Sequence, residues 1–300
     1  MSDTSDAPKG SMRLDVRAPN CCAALDPVGA FDSGVGGLSV VGELMRQLPN
    51  RPIVYLADQA NAPYGQRSMT EICRLARGIT RFLLDQGACA IVMACNTASA
   101  AALQPLRAEM PGVPFVGMEP AVKPATERTR TGHVGVIATQ ATFQGQLFAS
   151  LLDRYAADVT VHQEACPDLV PLVEAGEVNS ERTRRAVADY LAPLLEAGID
   201  QLVLGCTHYP FLRPLIEEAI GPNVEIIDPA PAVARQTRRI VESPERASQD
   251  AVSPHHSFYT TGDPRRFRSL LKTLLNVEAD VGQARWVERD RLVASEYQAA

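Results

Sequence analysis

Two stretches decide the fold: Ile91-Val92-Met93-Ala94-Cys95 and Leu202-Val203-Leu204-Gly205-Cys206. Each is a short apolar run that ends in a cysteine, and the two cysteines are 111 residues apart. At the same offset VPFVGMEPAV (113–122) overlays VEIIDPAPAV (224–233), sharing Pro-Ala-Val. Near the start of each half, Val28-Gly29 opens a run followed by DSGVGG, and Val134-Gly135 opens one followed by TQAT. Such repetition marks two related units. Short apolar runs bounded by turn residues are expected as buried parallel strands, at 28–31, 53–57, 89–94, 113–117, 134–138, 158–162, 201–205, 224–227 and 256–260. Between them, 69–86 reads as a helix with Ile72, Leu75, Ala76, Ile79, Phe82 and Leu83 on one face. Its counterpart at 180–196 carries Val187, Tyr190, Leu191, Leu194 and Leu195, with Ser180 as N-cap. The expected fold is α/β: two pseudo-symmetric α/β domains with mainly parallel sheets and a site in the cleft between them.

The bulk numbers exclude several classes. The 46% hydrophobic and 21% charged residues describe a globular chain, and the sequence has no apolar run long enough to span a bilayer. A net charge of −6 argues against nucleic-acid binding by phosphate neutralisation. Residues 1–25 have no apolar centre, so they are read as a flexible extension rather than a secretory signal. Seven cysteines at 21, 22, 73, 89, 95, 166 and 206, an odd number without a CxxC pair, suggest free thiols and a cytoplasmic protein. Lysines stand only at 9, 123 and 272, which disfavours pyridoxal chemistry.

The chemistry is carried by Cys95 and Cys206. A thiol's ordinary pKa, about 8.5, suits it to both giving and taking a proton near neutral pH. Two such groups facing each other across a pseudo-twofold cleft can remove a proton from one face of a carbon and return one to the other. Polar neighbours set these thiols apart: Asn96, Thr97 and Ser99 follow Cys95, and Thr207, His208 and Tyr209 follow Cys206. Cys73 and Cys89 read instead as small buried hydrophobes, Cys21 and Cys22 as incidental, and Cys166 as structural or functional with structure favoured. A metal held by Cys206 and His208 ranks lower for want of a second ligand cluster. A Cys206–His208 hydrolase ranks lower too, because a spacing of two residues does not guarantee contact. A non-catalytic acidic-ligand binder leaves the symmetric cysteines unexplained.

Other polar segments stay open. The glycines of Asp32-Ser33-Gly34-Val35-Gly36-Gly37 either bring backbone amides to an anion or simply make a tight turn; they are not a dinucleotide fingerprint. Asp32 is a candidate for proton handling or for holding an ammonium. Asn61-Ala62-Pro63-Tyr64-Gly65 has turn chemistry. Thr139 and Thr142 are helix caps or carboxylate ligands, and Glu174 alone reads as a surface acid.

Taken together, FDSGVGGLSV (31–40), ADQANAPYG (57–65), VMACNTASA (92–100), GVIATQAT (135–142), CPDLVPLVE (166–174), LVLGCTHYP (202–210) and FYTTGD (258–263) resemble the glutamate racemase family over 28–290. The resemblance implies cofactor-independent interconversion of L- and D-glutamate, supplying D-glutamate for peptidoglycan, with no cofactor or metal in catalysis. It implies Cys95 and Cys206 as catalytic bases, Asp32 assisting Cys95, His208 assisting Cys206, and Glu174 as a further helper. Ser33, Tyr64, Gly65, Asn96, Thr97, Thr139, Thr142 and Thr207 would bind substrate, together with Asp32 and His208. A homodimer is implied as well. The implied domains interleave: 26–119 plus 231–290, then 120–230, with 291–300 as a C-terminal tail. An aspartate racemase is the near alternative, disfavoured by His208 after Cys-Thr, where aspartate enzymes more often carry an acid.

Overall fold

The computed structural model describes residues 26–242 and 254–295, so the expected extension at 1–25 lies outside the described residues. In the first half, β1 (Val28–Asp32), β2 (Ile53–Ala57), β3 (Ala90–Met93) and β4 (Phe115–Val116) alternate with α1 (Leu38–Gln47), α2 (Met69–Asp85) and α3 (Asn96–Glu109). After α4 (Val122–Arg128), the second half places β5 (His133–Ala138), α5 (Gln140–Gln144), α6 (Gln146–Tyr155), β6 (Thr160–Ala165), α7 (Leu169–Glu174) and α8 (Glu181–Glu196). It continues with β7 (Gln201–Leu204), α9 (Arg213–Ile220) and β8 (Glu225–Ile227). The chain then runs through α10 (Ala230–Val241), β9 (Ser257–Thr260), α11 (Pro264–Leu275), β10 (Val281–Trp286) and β11 (Leu292–Ala294).

One sheet has the order β11-β10-β9-β2-β1-β3-β4 and the other β6-β5-β7-β8. The permutation 2-1-3-4 therefore recurs as 6-5-7-8, the topological form of the sequence repeat. All pairings are parallel except β10 with β11. β1, β2, β3 and β7 are buried along their whole length, which is why they read as unbroken apolar runs. Both sheets are covered on two faces. In the first, Val28, Ala30 and Tyr55 pack with residues of α1, α10 and α11, while Phe31, Leu56 and Ile91 pack with α2 and α3. In the second, Val134, Val136 and Val203 meet α4 and α6, and Leu202 and Leu204 share a cluster with α8 and α9.

The expected helices form with their caps: Ser180 Oγ accepts from the Thr183 N–H, and Ser68 Oγ does the same for Glu71 at the start of α2. The C-terminal reading needs a correction. Residues 292–294, expected in a tail, form β11, because Leu292 buries its side chain beside α2 and the strand pairs with β10. β10 and β11 were not anticipated from the sequence, since their alternating Gly, Gln, Arg and Val lack an apolar run.

Candidate active site

β3 and β7 occupy equivalent places in the two sheets, and each releases its cysteine two residues past the strand end. Cys95 is the N-cap of α3, its sulfur accepting the Ala98 N–H at 3.4 Å. Cys206 enters the turn that leads to α9. Both are nearly out of solvent, at 6% and 9% exposure.

The DSGVGG turn is where the lobes meet. The Val35 N–H donates to Glu174 Oε1 at 2.7 Å, so the glycine turn does deliver an amide to an anion, and that anion belongs to the protein's second lobe. A Cβ at Gly34 would overlap the Glu174 carboxylate, and one at Gly36 would overlap His208 Nδ1 and Thr207 Oγ1. Buried Tyr55 anchors the turn from behind, donating to the Gly34 carbonyl at 2.8 Å. Asp32 is completely buried; its carboxylate accepts from the Gly34 N–H at 2.7 Å and from Thr207 Oγ1 at 3.0 Å. Asn96 Nδ2 donates across the cleft to the Gly205 carbonyl at 3.1 Å, leaving its buried Oδ1 without a partner among the described residues.

His208 lies between Glu174 and Cys206, with Nε2 at 2.8 Å from Glu174 Oε1 and Nδ1 at 3.6 Å from the Cys206 sulfur. Burial alone would lower the imidazole pKa, but hydrogen bonds and charge from Cys206 and Glu174 overcome it and hold His208 well above its ordinary 6.5. Burial likewise works against the Glu174 carboxylate, yet the bonds from His208, Val35 and Gln59 bring it below 4.5. The pair is therefore carboxylate and imidazolium, with Nε2–H donating to Glu174 and Nδ1–H facing Cys206. Cys95 has the opposite surroundings. Burial and then the charge of Asp32 push its pKa up to about 12, against the pull of the Ala98 and Ser33 amides. Asp32 itself is raised by burial, which outweighs the His208 charge and the Gly34 and Thr207 bonds. Cys95 is thus a thiol, while Cys206 has a cationic donor beside it.

The expected ligands divide into two groups. Tyr64, Gly65, Asn96, Thr97 and Thr142 line a cavity of about 200 Å³ between the lobes, together with Arg67, Met69 and Phe148. Neither cysteine is on its lining; the thiols sit deeper. Thr139 caps α5 through the Thr142 N–H, and the two hydroxyls are 3.0 Å apart, so capping and cavity lining coexist. Ser33 Oγ points back to Asp32 at 3.4 Å. One expectation is revised. Glu174 is not a surface acid, because α7 ends at the cleft and directs it to His208. Asp32, expected to assist Cys95, is hydrogen-bonded to Gly34 and Thr207 and raises the thiol's pKa through its charge.

Three buried or half-buried polar residues were missed by sequence reasoning. Asp58 accepts from Asn61, Tyr64 Oη (2.7 Å), Thr261 Oγ1 (2.8 Å) and Trp286 Nε1 (3.0 Å), which sets the Tyr64–Gly65 loop. Gln59 donates to Glu174 Oε2 at 3.1 Å and is itself held by Thr260. The quoted motifs at 57–65 and 258–263 contain all three, but nothing local signals their pairing across roughly two hundred residues. Cys166 is buried behind the site, its carbonyl accepting from Tyr209 Oη at 3.3 Å, in keeping with the structural reading. Cys73, Cys95, Cys166 and Cys206 are free thiols. Cys89 is disulfide-bonded, which corrects the reading of free thiols throughout; it lies beside Asp26 just before β3 rather than inside the strand.

The Asp/Glu/Hydantoin racemase family model matches residues 36–237. A glutamate racemase from Herpetosiphon aurantiacus is 51% identical over 83% of this chain and 97% of its own length. Among solved structures, Escherichia coli glutamate racemase in complex with L-glutamate and activator UDP-MurNAc-ala aligns with a TM-score of 0.76 at 29% identity, covering 90% of this chain and 99% of the other. Glutamate racemase from Francisella tularensis in complex with D-glutamate aligns with a TM-score of 0.74 at 30% identity, covering 89% and 99%. With matched strand ends, two cleft thiols and this similarity along most of its length, the chain belongs to the glutamate racemases of the Asp/Glu/hydantoin racemase family.

Proposed function

We propose that this protein interconverts L- and D-glutamate by two-base proton transfer between Cys206 and Cys95. The observation that carries the reading is the pair of buried thiols at equivalent strand ends, one capping α3 and one 3.6 Å from His208 Nδ1. With one enantiomer, Cys206 takes the α-proton while the Cys95 thiol delivers its own from the opposite face. With the other, the roles exchange, and the Cys95 thiolate is held by the Ala98 and Ser33 amides. An α-carbanion is a far stronger base than a thiolate, so the site must stabilise developing charge with fixed donors. Ser33, Tyr64, Gly65, Thr97, Thr139, Thr142 and Thr207 are proposed to bind the polar groups of the substrate, and the unpartnered Asn96 Oδ1 to accept from its ammonium. Burial of the thiols excludes water and strengthens each of these contacts. D-glutamate supply for peptidoglycan, a cytoplasmic location and a homodimer belong to the same proposal; no helix among the described residues is long and apolar enough to cross a membrane.

The test is proton NMR of D-glutamate in D2O with the purified protein and no pyridoxal phosphate. Loss of the α-proton signal with appearance of L-glutamate is expected. Cys95→Ala and Cys206→Ala should each abolish turnover while glutamate binding stays measurable by calorimetry. Near-normal turnover in either variant overturns the two-base scheme, and exchange of aspartate but not glutamate moves the substrate to the shorter diacid.

A further inference from the structure

The FYTTGD segment at 258–263 has no role in the scheme above, yet its backbone begins a directed chain of hydrogen bonds that ends at Cys206. The Gly262 N–H donates to Thr260 Oγ1 at 3.0 Å. The Thr260 hydroxyl accepts that bond and donates its own hydrogen onward, to Gln59 Oε1 at 2.8 Å. On its other side the amide meets Glu174 Oε2, 3.1 Å away; a carboxylate only accepts, so the NH2 must face it, which fixes the amide's orientation and leaves Oε1 for Thr260. The other carboxylate oxygen, Oε1, accepts from Val35 N–H and from His208 Nε2. Thr260 is fully buried at the end of β9, so the chain starts from a rigid point of the first sheet and acts on a carboxylate at the end of α7 in the second lobe.

Resting on the racemase reading above, we propose that Gln59, oriented by Thr260, is a positioning residue that sets the Glu174–His208 pair against Cys206 and so serves one of the two proton-transfer faces selectively. Neither residue touches the thiols. Their effect passes through the Glu174 carboxylate, whose Oε1 is held by Val35 and His208 and whose Oε2 is held by Gln59. The ionisable groups around the imidazole are Glu174, Asp32 and Cys206, and Arg266 meets the Glu174 backbone carbonyl at 3.1 Å.

The variants are Gln59→Leu and Thr260→Val, with Thr260→Ser as the conservative control and His208→Gln as the reference. The first readout needs no substrate: 15N-edited NMR of the His208 Nε2–H, assigned by its absence in His208→Gln. The signal should be retained in the wild type and Thr260→Ser, and lost or shifted upfield in Gln59→Leu and Thr260→Val. The second readout is the α-deuterium isotope effect with each enantiomer. Because the equilibrium constant between enantiomers is one, kcat/KM falls equally in both directions, by about tenfold for a residue acting through its neighbour. The isotope effect should rise for one enantiomer and fall for the other, with the same handedness as in His208→Gln. A folded Gln59→Leu protein with an unchanged His208 signal, or with isotope effects that move together, overturns the proposal. If the wild type racemises nothing, the proposed function falls, and the NMR comparison still decides whether Gln59 positions His208.

Discussion

At the scale of single residues, the unusual feature is an imidazolium kept charged inside the protein. His208 is 5% exposed, and its ionisation is sustained by Glu174 and Cys206 against the cost of burial. The consequence for stability has a definite sign. The raised histidine contributes fully below pH 6.5, and its share is lost as pH rises through the higher folded-state pKa. The lowered glutamate contributes fully above pH 4.5, and its share is lost as pH falls through the lower folded-state pKa. His208→Gln should therefore lower stability by about 2 kcal/mol between those limits. Urea midpoints of the two proteins should converge as pH is raised well past 6.5; a constant gap would mean that the pair is not charged. Glu174 shows why such a partnership escapes a sequence reading. It follows an ordinary apolar run, and the groups that define it, Val35 and His208, are 139 residues upstream and 34 downstream.

At the scale of elements, the loop between β2 and α2 is held by one buried carboxylate. Asp58 gathers Asn61, Tyr64, Thr261 and Trp286, and so ties the Tyr64–Gly65 turn to the ends of β9 and β10. Asp58→Ala leaves Tyr64 Oη and Trp286 Nε1 without their acceptor and should cost about 3 kcal/mol. Trp286 is the chain's single tryptophan, so its fluorescence reports the change directly during denaturant unfolding. Asp58→Asn keeps the shape and some acceptor capacity and should cost about 1 kcal/mol; equal losses in the two variants would mean that the charge, not the acceptor geometry, is what matters. The turn itself was legible from Pro63 and Gly65, as were α2 and α8 from their apolar faces, with Ser180 as the cap of α8. β10 was not, because a strand near a sheet edge next to a hairpin needs few apolar residues to be stable once β9 is in place.

At the scale of the molecule, the two lobes approach so closely at the glycine turn that only hydrogen fits. A Cβ at Gly36 would overlap two side chains of the facing lobe, one of them His208, which is itself pinned at both nitrogens. Gly36→Ala should force the lobes apart and lower kcat/KM about 100-fold, with a change in thermal midpoint small enough to show that each lobe's core is intact. A mutant with full activity would show that the cleft has slack at this point.

The chain's sequence alone determined the α/β layering, the repeat and its two cysteines, because these rest on local matters: apolar run length, helical period, capping residues and a fixed offset of 111 residues. The shared strand permutation is the repeat expressed in three dimensions. Only tertiary structure decided which acid faces which base. Cys95 and Cys206 end nearly equivalent strands and are about equally buried, and their difference comes from Asp32 near one and from His208, aligned by Glu174, beside the other. Asp32 and Glu174 come from segments far from the cysteines in the chain, and their influence depends on how closely the folded chain brings them in. Periodicity and composition carry no information at that scale; packing the lobes together does.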